Sequence, residues 1–247
     1  MLSKKPWQPE LVLLFCAAMF MSFGGAIIAA MLLRNAGVTG FKQPDDFGFV
    51  LLGTLSVQGV AWILIFIFLR LHGTGWRDAF GLRNPNLEKS LLLALVVLLL
   101  ASPIVLLLQR LSITLLTQLG FPPENQEAVQ MFLDEKSVWM RIYFGLFAVI
   151  LAPVAEEFIF RGMLFPFFKE MGWPKLAWFG VSFLFALIHH DAATFVPLFV
   201  LALAFTWLYA KTDCLLASVF AHALFNAGNL ALLILAEKFG DKFPIQP

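Results

Sequence analysis

Charge is scarce in this 247-residue chain: only 13% of it is Asp, Glu, Lys or Arg, against about 25% in ordinary soluble proteins. With 60% hydrophobic residues and a mean hydropathy of +0.85, a soluble core could not hide the apolar surface. That scarcity excludes a water-soluble enzyme and points to an all-α polytopic bundle of transmembrane helices. Charge of one sign is lacking too. A formal net charge of +1 gives no basis for a nucleic-acid partner. Cysteine is nearly absent: Cys16 and Cys214 lie in apolar segments near opposite ends and read as small buried hydrophobes, not a disulfide. There is no internal repeat, low-complexity tract or second domain, so residues 1–247 read as a single membrane domain.

What is present is a series of long apolar runs. Lys4 and Lys5 precede a run from Leu11 to Leu33, which exceeds the roughly 7–15 residues of a signal-peptide core and reads as an uncleaved first span. Further spans are predicted at 47–69, 90–108, 138–153, 154–169, 174–190, 193–210 and 213–236. Pro153 motivates the division of 138–169, because an interior proline removes a hydrogen bond and kinks or breaks a helix. The count is about eight spans, or seven if Pro153 only bends its helix. The link with Arg70, Arg77, Arg83 and Lys89 suits a cytoplasmic loop. Residues 124–136 mix acids with Val129, Met131, Phe132 and Leu133 and read as a short interfacial helix. His72 falls in a loop and reads as a solvated side chain.

Against this background, Glu156, Glu157 and Arg161 stand at membrane depth, where an ionisable group costs about 2.5–3.5 kcal/mol on insertion scales and marks a functional site by default. Three of the four histidines follow downstream: His189 and His190 end one span, and His222 lies in the last. Asn226, four residues on, shares a face with His222. A hairpin turning near Gly172 has Glu156 sixteen residues before the turn and His189 seventeen after it, both roughly 25 Å away. The next hairpin turns near Lys211, putting His222 and Asn226 about 16 and 22 Å from that turn. All four fall in one band near the His190–Asp191 link, where water can enter from one side. With eight spans and Lys4 and Lys5 inside, that side is cytoplasmic.

Glu157 and Arg161 are spaced i,i+4 in the favourable order and can pair. Glu156 points about 100° away from Glu157 and lacks that partner; desolvation strengthens it as a general base. His189 could share a water with it. His222 and Asn226 offer N–H donors to a developing oxyanion. The chemistry indicated is hydrolysis of a peptide bond by a glutamate-activated water. Competing protease chemistries find little support. There is no H-E-x-x-H for a zincin and no serine in a Gly-x-Ser-Gly setting, and Ser182 and Ser218 read as helix-packing residues. Gly240-Asp241 lies in the polar tail, so an aspartyl dyad is unsupported. No metal site is assigned and no cofactor is required; zinc held by Glu156, His189 and His222 is a secondary alternative.

Three short motifs tie these residues to a known family. Glu156-Glu157-Phe158-Ile159-Phe160-Arg161 resembles the EExxxR motif of the CPBP family, the CAAX proteases and bacteriocin-processing enzymes. Phe185-Ala186-Leu187-Ile188-His189 is similar to its FxxxH motif, and His222-Ala223-Leu224-Phe225-Asn226 to its HxxxN motif. The resemblance covers roughly residues 145–235, with 138–236 as the core that carries it, and adds a faint Phe80-Gly81-Leu82-Arg83 in the basic link. It implies an intramembrane glutamic endopeptidase of eight helices. In that reading Glu156 and His189 activate water, His222 and Asn226 hold the oxyanion, and Arg161 braces Glu157. His190 is an extra with no role. The expected partners are the lipid bilayer and a peptide or protein substrate, membrane-anchored in some relatives. Compactness suggests a bacterial inner (plasma) membrane. Two other classes remain in view: a non-catalytic bacteriocin-immunity or scaffold protein of the same fold, and a transporter using the acids and imidazoles as a proton relay.

Overall fold

The computed structural model describes residues 3–41, 47–121 and 127–239. Among the described residues there are helices and no strands. Six helices among the described residues are long and apolar enough to cross a membrane, and a seventh apolar helix is shorter. They are α1 (Pro9–Asn35), α2 (Leu51–Leu71), α3 (Leu87–Gln118), α5 (Val138–Glu170), α6 (Pro174–Leu187), α7 (Ala192–Thr212) and α8 (Leu215–Phe239). The interfacial helix expected at 124–136 is α4, Glu127–Asp134; residues 124–126 of that expectation lie outside the described residues. Outward faces are apolar: Phe20 is 79% exposed and Trp139 81%, which only lipid tolerates over so many side chains.

The chain divides into two compact units, residues 5–79 and residues 1–4 with 80–247. In the smaller unit, Val12, Phe15, Ile65 and Phe68 are buried, and Ser22 Oγ donates to the Ser56 carbonyl at 2.6 Å. His72, expected to be solvated, is engaged at both ring nitrogens. Nδ1 lies 2.7 Å from the Phe68 carbonyl, which can only accept, and Nε2 takes the Gln8 N–H at 2.9 Å. The ring packs on Trp7 and Phe68.

In the larger unit α3 packs against α7 and α8 through small and medium residues: Ala94, Ala101 and Val105 meet Leu201, Phe205, Leu208, Ala217 and Ala221. The Phe80–Arg83 stretch docks beside the α7–α8 turn. The Phe80 carbonyl takes the Leu216 N–H at 2.9 Å, and its ring stacks on Phe158 with centroids 5.7 Å apart. Gly81 has φ +71°, and a Cβ there would stand 2.9 Å from Cys214 Cα, so only glycine fits. Cys214 is buried and Cys16 half-buried, and both are free thiols. Ser182 and Ser218 are buried packing residues, with Ser218 Oγ donating to the Phe205 carbonyl at 3.2 Å.

The predicted break at Pro153 is not there. Residues Val138–Glu170 form one 33-residue helix. Its turn widens at Phe147–Leu151, just before the proline. A proline ring collides with the carbonyl four residues back, and a π turn moves that carbonyl away. The crossing expected twice over 138–169 therefore occurs once, so the alternative count of seven describes the apolar helices, with one of them short. This removes the reason for putting the His190–Asp191 link in the cytoplasm. Ser3 N–H donates to Asp213 Oδ2 at 3.1 Å, so Ser3 sits at the end of α7 opposite the link.

Candidate functional site

Glu156 and Glu157 occupy the α-helical piece Ala152–Glu157 of α5, flanked by two π segments, Phe147–Leu151 and Phe158–Leu164. The wide turns change which faces the following residues reach, and such bulges gather at functional sites. Glu157 and Arg161 are both 0% exposed and pair as the spacing predicts, Arg161 Nη1 donating to Glu157 Oε1 at 2.8 Å. The guanidinium also donates from Nη2 to the Ala202 carbonyl at 3.2 Å and from Nε to Thr206 Oγ1 at 3.3 Å. Phe185 lies over its face, 4.5 Å from the centroid. A buried ion pair persists only when its remaining hydrogen-bonding capacity is met; α7 meets that of the guanidinium, whereas Glu157 Oε2 is buried without a hydrogen-bond partner.

His222 joins the same carboxylate from α8. Its Nδ1 is 2.9 Å from Glu157 Oε1, and an oxygen that already accepts from Arg161 requires the hydrogen to be on Nδ1. The other nitrogen, Nε2, faces Glu156 Oε2 at 3.8 Å, too far for a hydrogen bond and close enough for an ion pair. Glu156 differs from its neighbour in access: 21% of its side chain is exposed. One carboxylate is thus locked inside the bundle while the next, a helical step round, faces open space.

His189 also packs on the Phe185 ring. Helix α6 tightens at its end, His189 N–H reaching the Ala186 carbonyl at 3.3 Å. The Phe185 carbonyl is then available to His189 Nδ1 at 2.7 Å. A carbonyl accepts only, so the neutral ring carries its hydrogen on Nδ1 and its lone pair on Nε2. Ring centroids of His189 and His222 are 4.8 and 5.7 Å from that of Phe185, so this phenylalanine contacts both imidazoles as well as covering Arg161. Helix α6 is short, 14 residues or about 21 Å against a hydrocarbon core of roughly 30 Å.

Asn226 is placed differently from His222. One turn along α8 its Nδ2 donates to the Ala148 carbonyl at 2.8 Å, in the first π segment of α5. The amide has a second N–H to give. Helices α5 and α8 are zipped antiparallel along this line: Arg141 with Glu237, Gly145 against Leu230, Ala148 with Asn226, Glu157 with His222. His190 takes φ +51° at the stop of α6, and Asp191 then caps α7 by accepting the Ala193 N–H at 2.8 Å. The unassigned extra histidine is a helix terminator.

Thr206, Ser182 and Phe205 complete the enclosure and were not singled out as site residues. The sequence signal for Thr206 was its position as a hydroxyl in the apolar run of α7; Ser182 Oγ lies 3.3 Å from it. Among the described residues no three His, Cys, Asp or Glu side chains form a group that could hold a metal ion.

The fold and site define a class: an all-helical membrane protein with a buried Glu–Arg–His cluster beside an accessible glutamate. Residues 138–228 match the family model of Type II CAAX prenyl endopeptidase Rce1-like proteins, and the CPBP resemblance carried by the three motifs holds over that segment. The chain is similar to UPF0177 protein YxdF of Lactococcus lactis, 28% identical over 96 residues, 38% of this chain and 52% of the relative. It is also similar to UPF0177 protein YaiF of the same organism, 35% identical over 81 residues, 31% of this chain and 34% of the relative. The chain thus spans about half of one curated relative and a third of the other. No solved structure matches.

Proposed function

We propose that this chain is an intramembrane endopeptidase that cuts peptide bonds with water activated by Glu156 and His189. The observation that carries the reading is the division of labour between adjacent carboxylates. Glu157 is sealed against Arg161 and His222, whereas Glu156 is accessible and faces the outward nitrogen of the same histidine. Glu156, assisted by the Nε2 lone pair of His189, takes a proton from water as the hydroxide adds to the scissile carbonyl carbon. The oxyanion is held by Nε2–H of His222 and the second amide N–H of Asn226. To donate from Nε2 while Nδ1–H stays on Glu157, His222 needs both ring hydrogens, so that it and Arg161 together face the two glutamates. Collapse breaks the C–N bond, and the proton held by Glu156 passes to the amine.

The substrate in this reading is a peptide or protein presented at the bilayer, and no bound metal takes part, so activity persists in strong chelator. The chain would sit in a bacterial plasma membrane. Within the larger unit Lys4, Arg83, Lys89, Lys169, Lys175 and Lys211 lie towards the Gly172 and Asp213 end. The positive-inside rule puts that end in the cytoplasm, and the site then opens on the opposite face, the reverse of what an eight-span count implied.

Substrate trapping tests the hydrolase. Membranes from cells carrying Glu156→Gln and from wild type are compared by proteomics, and a peptide that accumulates uncut in the variant is the expected result. A bacteriocin-immunity or processing phenotype that survives the same substitution at normal protein level removes the hydrolase and leaves the scaffold.

A further inference from the structure

We infer that Pro153 is a positioning residue for Asn226: its missing N–H leaves the Ala148 carbonyl open, and that carbonyl fixes the amide. In the first π segment the Ala152 N–H reaches back five residues to the Phe147 carbonyl. The next carbonyl in that wide ladder, Ala148, is offered the nitrogen at 153, and proline has no hydrogen there. Ala148 is exposed, on the outside of the bundle, and a backbone carbonyl facing lipid without a donor is costly. The donor comes from another helix: Asn226 Nδ2, at 2.8 Å. With one amide hydrogen committed, rotation about the terminal torsion of the side chain is stopped, and the second N–H holds one direction.

Pro153, the π turn and Asn226 thus form one device. The proline, which looks like a helix breaker three residues before Glu156, turns a main-chain atom of α5 into an anchor for α8. It also fixes the register of the two helices one turn from the Glu157–His222 contact, so the two third-motif residues are aimed from one side of α5. The anchor stands on geometry alone; its catalytic consequence rests on the proposed endopeptidase reading.

A double-mutant cycle on the full-length protein in detergent tests the anchor without any substrate. Asn226→Ala in the wild-type background orphans the Ala148 carbonyl and should lower the apparent melting temperature by about 2–4 °C. With Pro153→Ala a backbone N–H becomes available to Ala148, and Asn226→Ala should then cost less than half as much. Placing the α-hydroxy acid analogue of alanine at 153 by nonsense suppression separates ring from hydrogen. It has no N–H, so the full cost of Asn226→Ala should return. Additive losses in all three backgrounds would overturn the anchor, and the hydroxy-acid variant keeps the test open should Pro153→Ala fail to fold.

The catalytic consequence is read with a quenched, farnesylated CAAX peptide. Pro153→Ala should lower kcat about tenfold or more with KM nearly unchanged, and the hydroxy-acid variant should keep the wild-type kcat. Equal kcat in Pro153→Ala and wild type would overturn the positioning role. If wild type leaves the peptide uncut, the endopeptidase reading loses that substrate, and the anchor is judged on melting alone.

Discussion

Glu156 and Glu157 differ by one position and by almost everything that environment can change. Glu157 balances a fully enclosed Arg161, so Glu157→Gln leaves a buried guanidinium without its anion. Losses of about 3–5 kcal/mol follow from breaking such a pair, and low yield with a clearly lower melting temperature is the expected outcome. Glu156→Gln removes a partly exposed carboxylate with one distant ionic neighbour. Its stability should stay within roughly 0.5 kcal/mol of wild type while peptide hydrolysis disappears. Thermal melting and activity measured on the same two preparations check the contrast. Comparable destabilisation by both would mean that the acids form one structural unit. Arg161→Lys belongs with Glu157→Gln, because an ammonium cannot reach Glu157, Ala202 and Thr206 together or lie flat on Phe185.

At the scale of elements, the i,i+4 pair and the shared face of His222 and Asn226 were legible in the sequence, since helical spacing alone dictates them. Two features were not. The π segments in α5 leave no spacing signature, because one inserted position looks like any other residue in an apolar run; Pro153 was visible but read as a break. Thr206 and Ser182 touch the site only through a neighbouring helix, and which hydroxyl of α7 would face Arg161 depends on packing. Turn chemistry was half legible. His190 sits at φ +51°, a region that costs a side-chain-bearing residue about 1 kcal/mol. His190→Gly should therefore keep activity and raise stability slightly, and a fall in activity would return His190 to the site. Gly81 is the opposite case. At φ +71° with Cys214 Cα 2.9 Å from an added Cβ, Gly81→Ala must displace the segment docked beside the α7–α8 turn. A loss of about 1–3 kcal/mol is expected, read as a lower melting temperature.

For the whole molecule, the helix that was expected to cross twice sets the side on which the proposed hydrolysis would take place. A continuous α5 and a short α6 bring the His190–Asp191 link to the end of α7 remote from Ser3 and Asp213. Lys4, Arg83, Lys89, Lys169, Lys175 and Lys211 lie towards the Ser3 end of the larger unit, and Arg110, Lys136, Arg141 and Lys238 towards the link. Basic residues beside short loops set orientation whatever the acids do, which is why the proposed orientation has the Ser3 end in the cytoplasm. A single cysteine resolves this in a background where Cys16 and Cys214 are replaced by Ala. At position 190, beside the site mouth, it should react with a membrane-impermeant maleimide added outside intact cells. At position 173, in the turn before α6, it should react only after the membrane is opened. The reverse pattern would put the site mouth in the cytoplasm and show that the charge difference within this unit does not govern insertion. Exposure of position 190 to the outer reagent would confine the substrates to peptides that reach the site from beyond the membrane or laterally from within it.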